Sequence, residues 1–200
     1  FGIALIYGST GTLEFSEVTQ HLKAVEYQHL MIFQLGMLLL LGGLAFKIAV
    51  VPFQLWVPDV YQGAPTPVPA FLATGSKGAG FVLLLRVLHE ANPILLNESW
   101  LRQLLAVMAG ASILYGSLCA LRQRNLKRLL GYSSIASAGY VMLGVVALNA
   151  EGTQAVLFYL AGYLFAVLAA FTVIAMVTEE ANNEDISVLA NLHQRSPLFA

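Results

Sequence analysis

The chain has 200 residues, 58% of them hydrophobic and only 10% charged, with a mean hydropathy of +0.74 and a net charge of −1. Soluble domains carry about a quarter charged residues, so the composition sets aside a soluble globule and points to an all-α, polytopic transmembrane bundle. No basic tract is long enough to grip nucleic acid, and the one cysteine, Cys119, excludes an internal disulfide and offers no metal-ligand set.

About 20 apolar residues cross a bilayer, and that length divides the chain. Phe1 to Tyr7 closes a helix, and Gly8 to Gln28 is a polar connection with a turn at Gly11. Glu14, Glu17, Lys23 and Glu26 lie in water there, with room for a short surface helix between them. The first complete span starts near His29 and meets Pro52, which removes a backbone donor and clashes one turn back. Apolar character continues past it through Trp56 and Val60, so residues 29–61 read as one broken span with Lys47 close to its midpoint. Broken helices are tolerated only beside protein or a water-filled cavity and are common at ion and proton sites of transporters.

Gly63 to Pro69 is a tight connection in which Thr66 is placed to cap the next helix and Pro67 to open it. The next span, about 68–88, carries Lys77 at its centre, with Gly75, Gly78 and Gly80 crowded around it. Small residues there admit either a close neighbouring helix or water beside the lysine. A polar loop follows from Ala91 to Trp100, then spans of about 101–121, 129–148 and 154–177. Arg122, Arg124, Lys127 and Arg128 form the densest basic cluster, which reads as a topology anchor facing the cytoplasm. By alternation the Pro52–Pro69 turn and the acidic Glu179–Arg195 loop share that side. Tyr132, Ser133, Ser134, Ser137 and Tyr140 give one span a polar stripe, and Tyr159 and Tyr163 do the same for the next. Either stripe suits hydrogen bonding between helices or the wall of a wet channel.

An ammonium near the bilayer centre costs ~2.5–3.5 kcal/mol on insertion scales. Lys47 and Lys77 have no acidic neighbour in sequence, and no Asp or Glu occupies the middle of a complete span. The pair therefore reads as a protonatable polar path. The alternative for Lys47 is an ordinary proline kink with the side chain snorkelling to an interface; from mid-span, Lys77 has no such exit. FGIALIYG reads as the tail of a helix and RSPLFA as a loop entering another, so the expectation is one transmembrane domain, residues 1–200, that is an internal piece of a longer membrane protein.

Three blocks, FKIAVVPFQLWVPDVYQGAPTPVPAFLATGSK, NLKRLLGYSSIASAGY and YLAGYLF, resemble the antiporter-like subunit N family of proton-pumping NADH:quinone oxidoreductases, respiratory complex I. The resemblance runs from about Ala45 through Phe165, and PDVYQGAPTPV is its most specific part, because sister antiporter-like subunits share Pro-Phe-x-x-Trp and diverge after it. It implies an antiporter-like fold of about fourteen helices in two inverted repeats, each with one broken helix. It matches Lys47 to the lysine beside the first repeat's broken helix, and Lys77 to the lysine that joins two half-channels along a central polar axis. Ser137 departs from the His that many relatives carry, which leaves that position without a titrating role. The partner glutamate and the second broken helix of the family would lie outside this stretch.

The function that follows is proton translocation in the membrane arm, with Lys47 and Lys77 as relay residues and Pro52 as the helix break. The chain itself is expected to bind no cofactor; NADH, FMN, iron–sulfur clusters and quinone belong to partner subunits. The expected location is a bacterial inner membrane. Two other readings are a subunit of a multisubunit sodium/proton antiporter, which needs no electron donor, and a structural membrane spacer, whose lysines would lie near headgroups and not at mid-span.

Overall fold

The computed structural model describes residues 1–14, 17–18, 27–95, 99–181, 183–190 and 192. Helix α1 (Gly2–Thr10) ends at Gly11, whose left-handed backbone donates back to the Tyr7 carbonyl. Glu14 and Glu17 are exposed, as their charge requires, while Lys23 and Glu26 lie outside the described residues. Helix α2 (Tyr27–Ile48) then packs along α1.

The break follows at once. Ala49 adopts a left-handed conformation (φ 61°), the Val51–Pro52 peptide is cis, and α3 (Trp56–Gly63) starts only at Trp56. A left-handed L-residue costs roughly 1–2 kcal/mol, and every backbone group released here needs a partner. The partners are visible. Val50 N–H returns to Ala45 O at 3.1 Å and Phe53 N–H to Val50 O at 2.7 Å. Val51 N–H donates to Ser112 Oγ at 2.9 Å, and Trp56 Nε1 donates to the Phe46 carbonyl at 3.0 Å. Distant side chains thus complete what the interrupted helix leaves open.

The next span is three pieces of one rod: α4 (Pro67–Phe71), a π-helical turn (Leu72–Ser76) and α5 (Lys77–Leu95). Pro67 opens it, since its missing N–H would have no helical partner there. Thr66 does not cap it, however: its backbone is already helical and its side chain makes no capping bond. Helix α5 also runs on to Leu95, through the start of the stretch expected to be a loop. Polar composition marks where a chain leaves an apolar layer, and a helix can continue past that point. Helix α6 (Ser99–Ala120) and α7 (Leu126–Ala147) form an antiparallel hairpin, and Asn125 caps α7 through its side chain. Helix α8 (Ala150–Ala181) and a short 3₁₀ turn (Ile186–Leu189) follow.

Five of these rods are long and apolar enough to cross a membrane. Helix α7 is the central one, with 56% of its apolar window buried against 22% for α6 and α8. It lies close to α6 because both contact points are glycine. A Cβ on Gly116 would sit 2.5 Å from the Ala136 nitrogen, and one on Gly139 would sit 2.7 Å from the Ala109 carbonyl. One side of α7 joins a core with α2, α5 and α6 through Ala138, Val141, Met142 and Val145. Its other side joins Tyr61, Ala73 and Phe171 through Tyr132 and Ile135. The second core holds the polar site.

Candidate functional site

Lys77 opens α5 directly after the π turn and is 3% exposed. It is the eleventh residue of the apolar run Pro67–His89, 23 residues long, and so lies at its middle. A π turn carries more residues than an α turn and re-aims the side chains that follow it, and such turns recur at functional positions. Here the side chain is turned inward to α7, where Nζ donates to the Ser134 carbonyl at 2.7 Å and contacts the Ser134 hydroxyl. Among the described residues Lys77 has no carboxylate partner. A buried ammonium held only by neutral oxygens is poorly compensated.

Ser134 is itself 1% exposed and links further groups. The Tyr61 hydroxyl from α3 meets Ser134 Oγ at 3.3 Å. Tyr163 from α8 interacts with both Ser134 and Ser137, and its ring stacks on Tyr159 with centroids 6.1 Å apart. Four elements therefore converge on one serine: α3, α5, α7 and α8. Hydroxyls accept as well as donate, so each of these neighbours can hydrogen-bond in either sense.

Lys47 occupies the last turn of α2, next to the break, and is exposed. Its position relative to Lys77 is fixed by helix packing. A Cβ on Gly80 would meet Ile48 Cγ2 at 2.6 Å and the Cγ and Cδ of Lys47 at 3.6 Å. Gly80 comes three residues after Lys77, about 4.5 Å along the axis. The aliphatic stem of Lys47 thus lies against the interior of the α4–α5 rod, within a turn of Lys77. Of the three glycines near Lys77, Gly80 serves this close approach, Gly75 faces the Phe71 ring of its own rod, and Gly78 has open space.

The basic cluster is not one uniform anchor. Lys127 is buried, pairs with Glu184 at 2.6 Å and donates to the Ala64 carbonyl at 3.0 Å. Arg128 pairs with Asp59 at 2.5 Å and donates to Gln62 at 3.0 Å, whereas Arg122 and Arg124 are exposed. Glu184 also accepts from Asn125, and Ile186 N–H donates to the Arg124 carbonyl. These bonds gather three connections at one end of the bundle: the one after α3, the α6–α7 turn and the segment after α8. The acidic character of the last segment is matched by the lysine beneath it.

Sequence reasoning did not find Ser134 as the partner of Lys77, Tyr61 beside that serine, or Ser112 at the break. The polar stripe on α7 and the paired tyrosines of α8 were the available signals, but which serine meets the lysine depends on the rotation set by the π turn. Tyr140 of that stripe points outward. Among the described residues no three His, Cys, Asp or Glu side chains gather as a metal site would need.

A broken helix, a π turn and a mid-span lysine arranged in this way define an antiporter-like transmembrane bundle. The chain belongs to the family described as NADH:quinone oxidoreductase/Mrp antiporter, TM, which matches residues 1–200. It is 46% identical to NADH-quinone oxidoreductase subunit N of Desulforamulus reducens, over all of this chain and 41% of that protein. It is 42% identical to the same subunit of a Geobacillus species, over all of this chain and 42% of that protein. Among solved structures, a chain of respiratory complex I from Thermus thermophilus superposes with a TM-score of 0.77 at 40% identity, covering 99% of this chain and 40% of that one. An archaeal membrane-bound sulfane sulfur reductase superposes with a TM-score of 0.88 at 31% identity, covering 99% of this chain and 40% of that one. A chain of the Mrp complex from a Dietzia species, 23% identical over 99% of this chain and 36% of its own length, shares the fold with a TM-score of 0.83. The chain thus spans about two fifths of the relatives it matches.

Proposed function

We propose that this chain is part of a proton-translocating membrane subunit of an NADH:quinone oxidoreductase, in which Lys47 and Lys77 relay protons along a polar axis. The observation that carries the reading is Lys77 itself: a mid-span ammonium, 3% exposed, held by Ser134 and without a carboxylate partner among the described residues. The identity to subunit N of two bacteria supports the choice of complex and a bacterial plasma membrane as its location.

The mechanism is electrostatic. Like charges in a low-dielectric interior repel. A proton gained by Lys47, whose stem lies one turn from Lys77, therefore pushes Lys77 to release its own. Ser134, Tyr61 and Tyr163 hold the released proton's hydrogen-bond path. Redox chemistry with NADH, FMN, iron–sulfur clusters and quinone takes place in partner subunits, and this chain answers it through charge changes passed along the membrane arm.

The test is reconstitution of the whole complex in sealed vesicles. NADH and quinone together should drive proton movement, and neither should do so alone. Sodium/proton exchange under an imposed gradient, with no electron donor, would overturn the reading in favour of a secondary antiporter.

A further inference from the structure

Both chain neighbours of Lys47 are held by other elements. Helix α2 ends in paired bonds, Ala49 N–H to Phe46 O at 3.2 Å and Val50 N–H to Ala45 O at 3.1 Å, which is a Schellman ending. Val50 N–H is thereby diverted from the Phe46 carbonyl, which it would meet in a continuing helix. Inside an apolar span such a carbonyl depends on a protein donor. The Trp56 indole, from the first residue of α3, supplies one: Nε1 donates to Phe46 O at 3.0 Å, and the two rings lie 5.6 Å apart with their planes at 32°. An indole N–H away from water needs an acceptor in return. On the other side of Lys47, Ile48 is fully buried and fits the gap at Gly80 of α5, where a Cβ would come within 2.6 Å of its Cγ2.

We propose that Trp56 is a positioning residue for Lys47: its N–H fixes the last turn of α2 against α3 and so sets where Lys47 stands relative to Lys77. Helix α3 is a firm mount for this purpose, because α7 holds it at three points. A Cβ on Gly131 would meet Pro58 Cα at 3.1 Å, Arg128 pairs with Asp59 at 2.5 Å, and the Tyr61 hydroxyl meets Ser134 Oγ at 3.3 Å. Ser134 is the residue that holds Lys77. Trp56 and Tyr61 stand about 7.5 Å apart along one short helix, so α3 touches the seat of each lysine. The chain from Ala49 to Leu55 is irregular, and the indole bond crosses it directly. Without that bond the end of α2 can shift on α3 while Lys77 stays in place, and the spacing of the two lysines is no longer fixed. What the spacing serves rests on the proton-translocating reading above; the seat of Lys47 does not.

The experiment compares the intact native complex with Trp56→Phe and with two forms in which Trp56 is replaced by an analogue. Fluorotryptophan keeps the indole N–H; benzothienylalanine keeps the indole shape and loses the N–H. High-resolution maps and NADH-driven proton uptake in sealed vesicles are measured for each, with abundance checked on native gels. Trp56→Phe and the benzothienylalanine form should assemble normally, show Lys47 displaced from its native place, and take up several-fold fewer protons per NADH. The fluorotryptophan form should match the native complex in all three. If Trp56→Phe fails to assemble, the benzothienylalanine form decides. Native uptake with Lys47 unmoved in that form overturns the proposal, and so does an equal loss in the fluorotryptophan form, which would trace the effect to ring packing. Reduced abundance with normal uptake per remaining complex would also overturn it, leaving Trp56 a structural support. Absence of NADH-driven uptake in the native complex would count against the proton-translocating reading, while the place of Lys47 in the maps would still test its seat.

Discussion

Charged side chains in this bundle divide by what surrounds them. Lys77 is solvated by one serine, whereas Lys127, also buried, has a carboxylate and a carbonyl. The first arrangement suits a charge that must change and the second a charge that must stay. Partial burial pushes the Glu184 carboxyl up, but hydrogen bonds from Lys127 and Asn125, with the Lys127 charge, outweigh it and hold the group below the usual carboxylate value. A carboxyl that is a stronger acid when folded stabilises the fold above its unfolded pKa, and that contribution fades as pH falls below about 4. Docking of the segment after α8 should loosen in that window. Glu184→Gln should reproduce the effect at neutral pH. Because Glu184 is 36% exposed, the loss is discounted to about 1 kcal/mol, or roughly fivefold faster amide exchange at Ile186. Unchanged exchange in the variant would show that the ion pair does not hold this segment.

At the scale of the element, the break is held open by its neighbours as much as by Pro52. Ser112, fully buried on α6, accepts from Val51 N–H and donates to the Met108 carbonyl. Ser112→Ala orphans the Val51 N–H, which should cost roughly 1–3 kcal/mol. The expected result is a lower melting temperature of the solubilised complex, or less of it on native gels; a variant of unaltered stability would place the support of the break elsewhere. The break and the depth of Lys77 were legible because each leaves a local mark: a proline inside an apolar run, and a lysine ten residues from one end of its run and twelve from the other. The π turn leaves no such mark, since Leu72–Ser76 is as good an α-helix as a π-helix by residue type. Ser134 as the partner of Lys77, and Glu184 as that of Lys127, are set by tertiary packing across 57 residues in both cases. The alternation rule placed the acidic segment beside the basic turn, but only the packing shows that its acidity neutralises a lysine.

For the whole molecule, bonds from Lys127, Arg128 and Arg124 tie three connections to one end, while the α7–α8 turn at Asn149 lies at the opposite end of α7. Single cysteines in place of Gln123 and Glu151, in a Cys119→Ser background, should be labelled by an impermeant maleimide from opposite faces. With Arg122 and Arg124 exposed there, the Gln123 position should label from the negative side. Labelling of both from one face would contradict the bundle's topology.

In the proposed mechanism Lys77 gives up and regains a proton inside the membrane. Lys77→Met keeps helix propensity and length and removes the titratable group; Lys77→Arg keeps the charge but does not release it at accessible pH. The measurement is proton uptake per NADH in vesicles containing the whole complex, with abundance checked on native gels. Both variants should assemble and lose pumping. Normal pumping by both at normal abundance would contradict the claim, and tolerance of Arg alone would reduce Lys77 to a fixed structural charge.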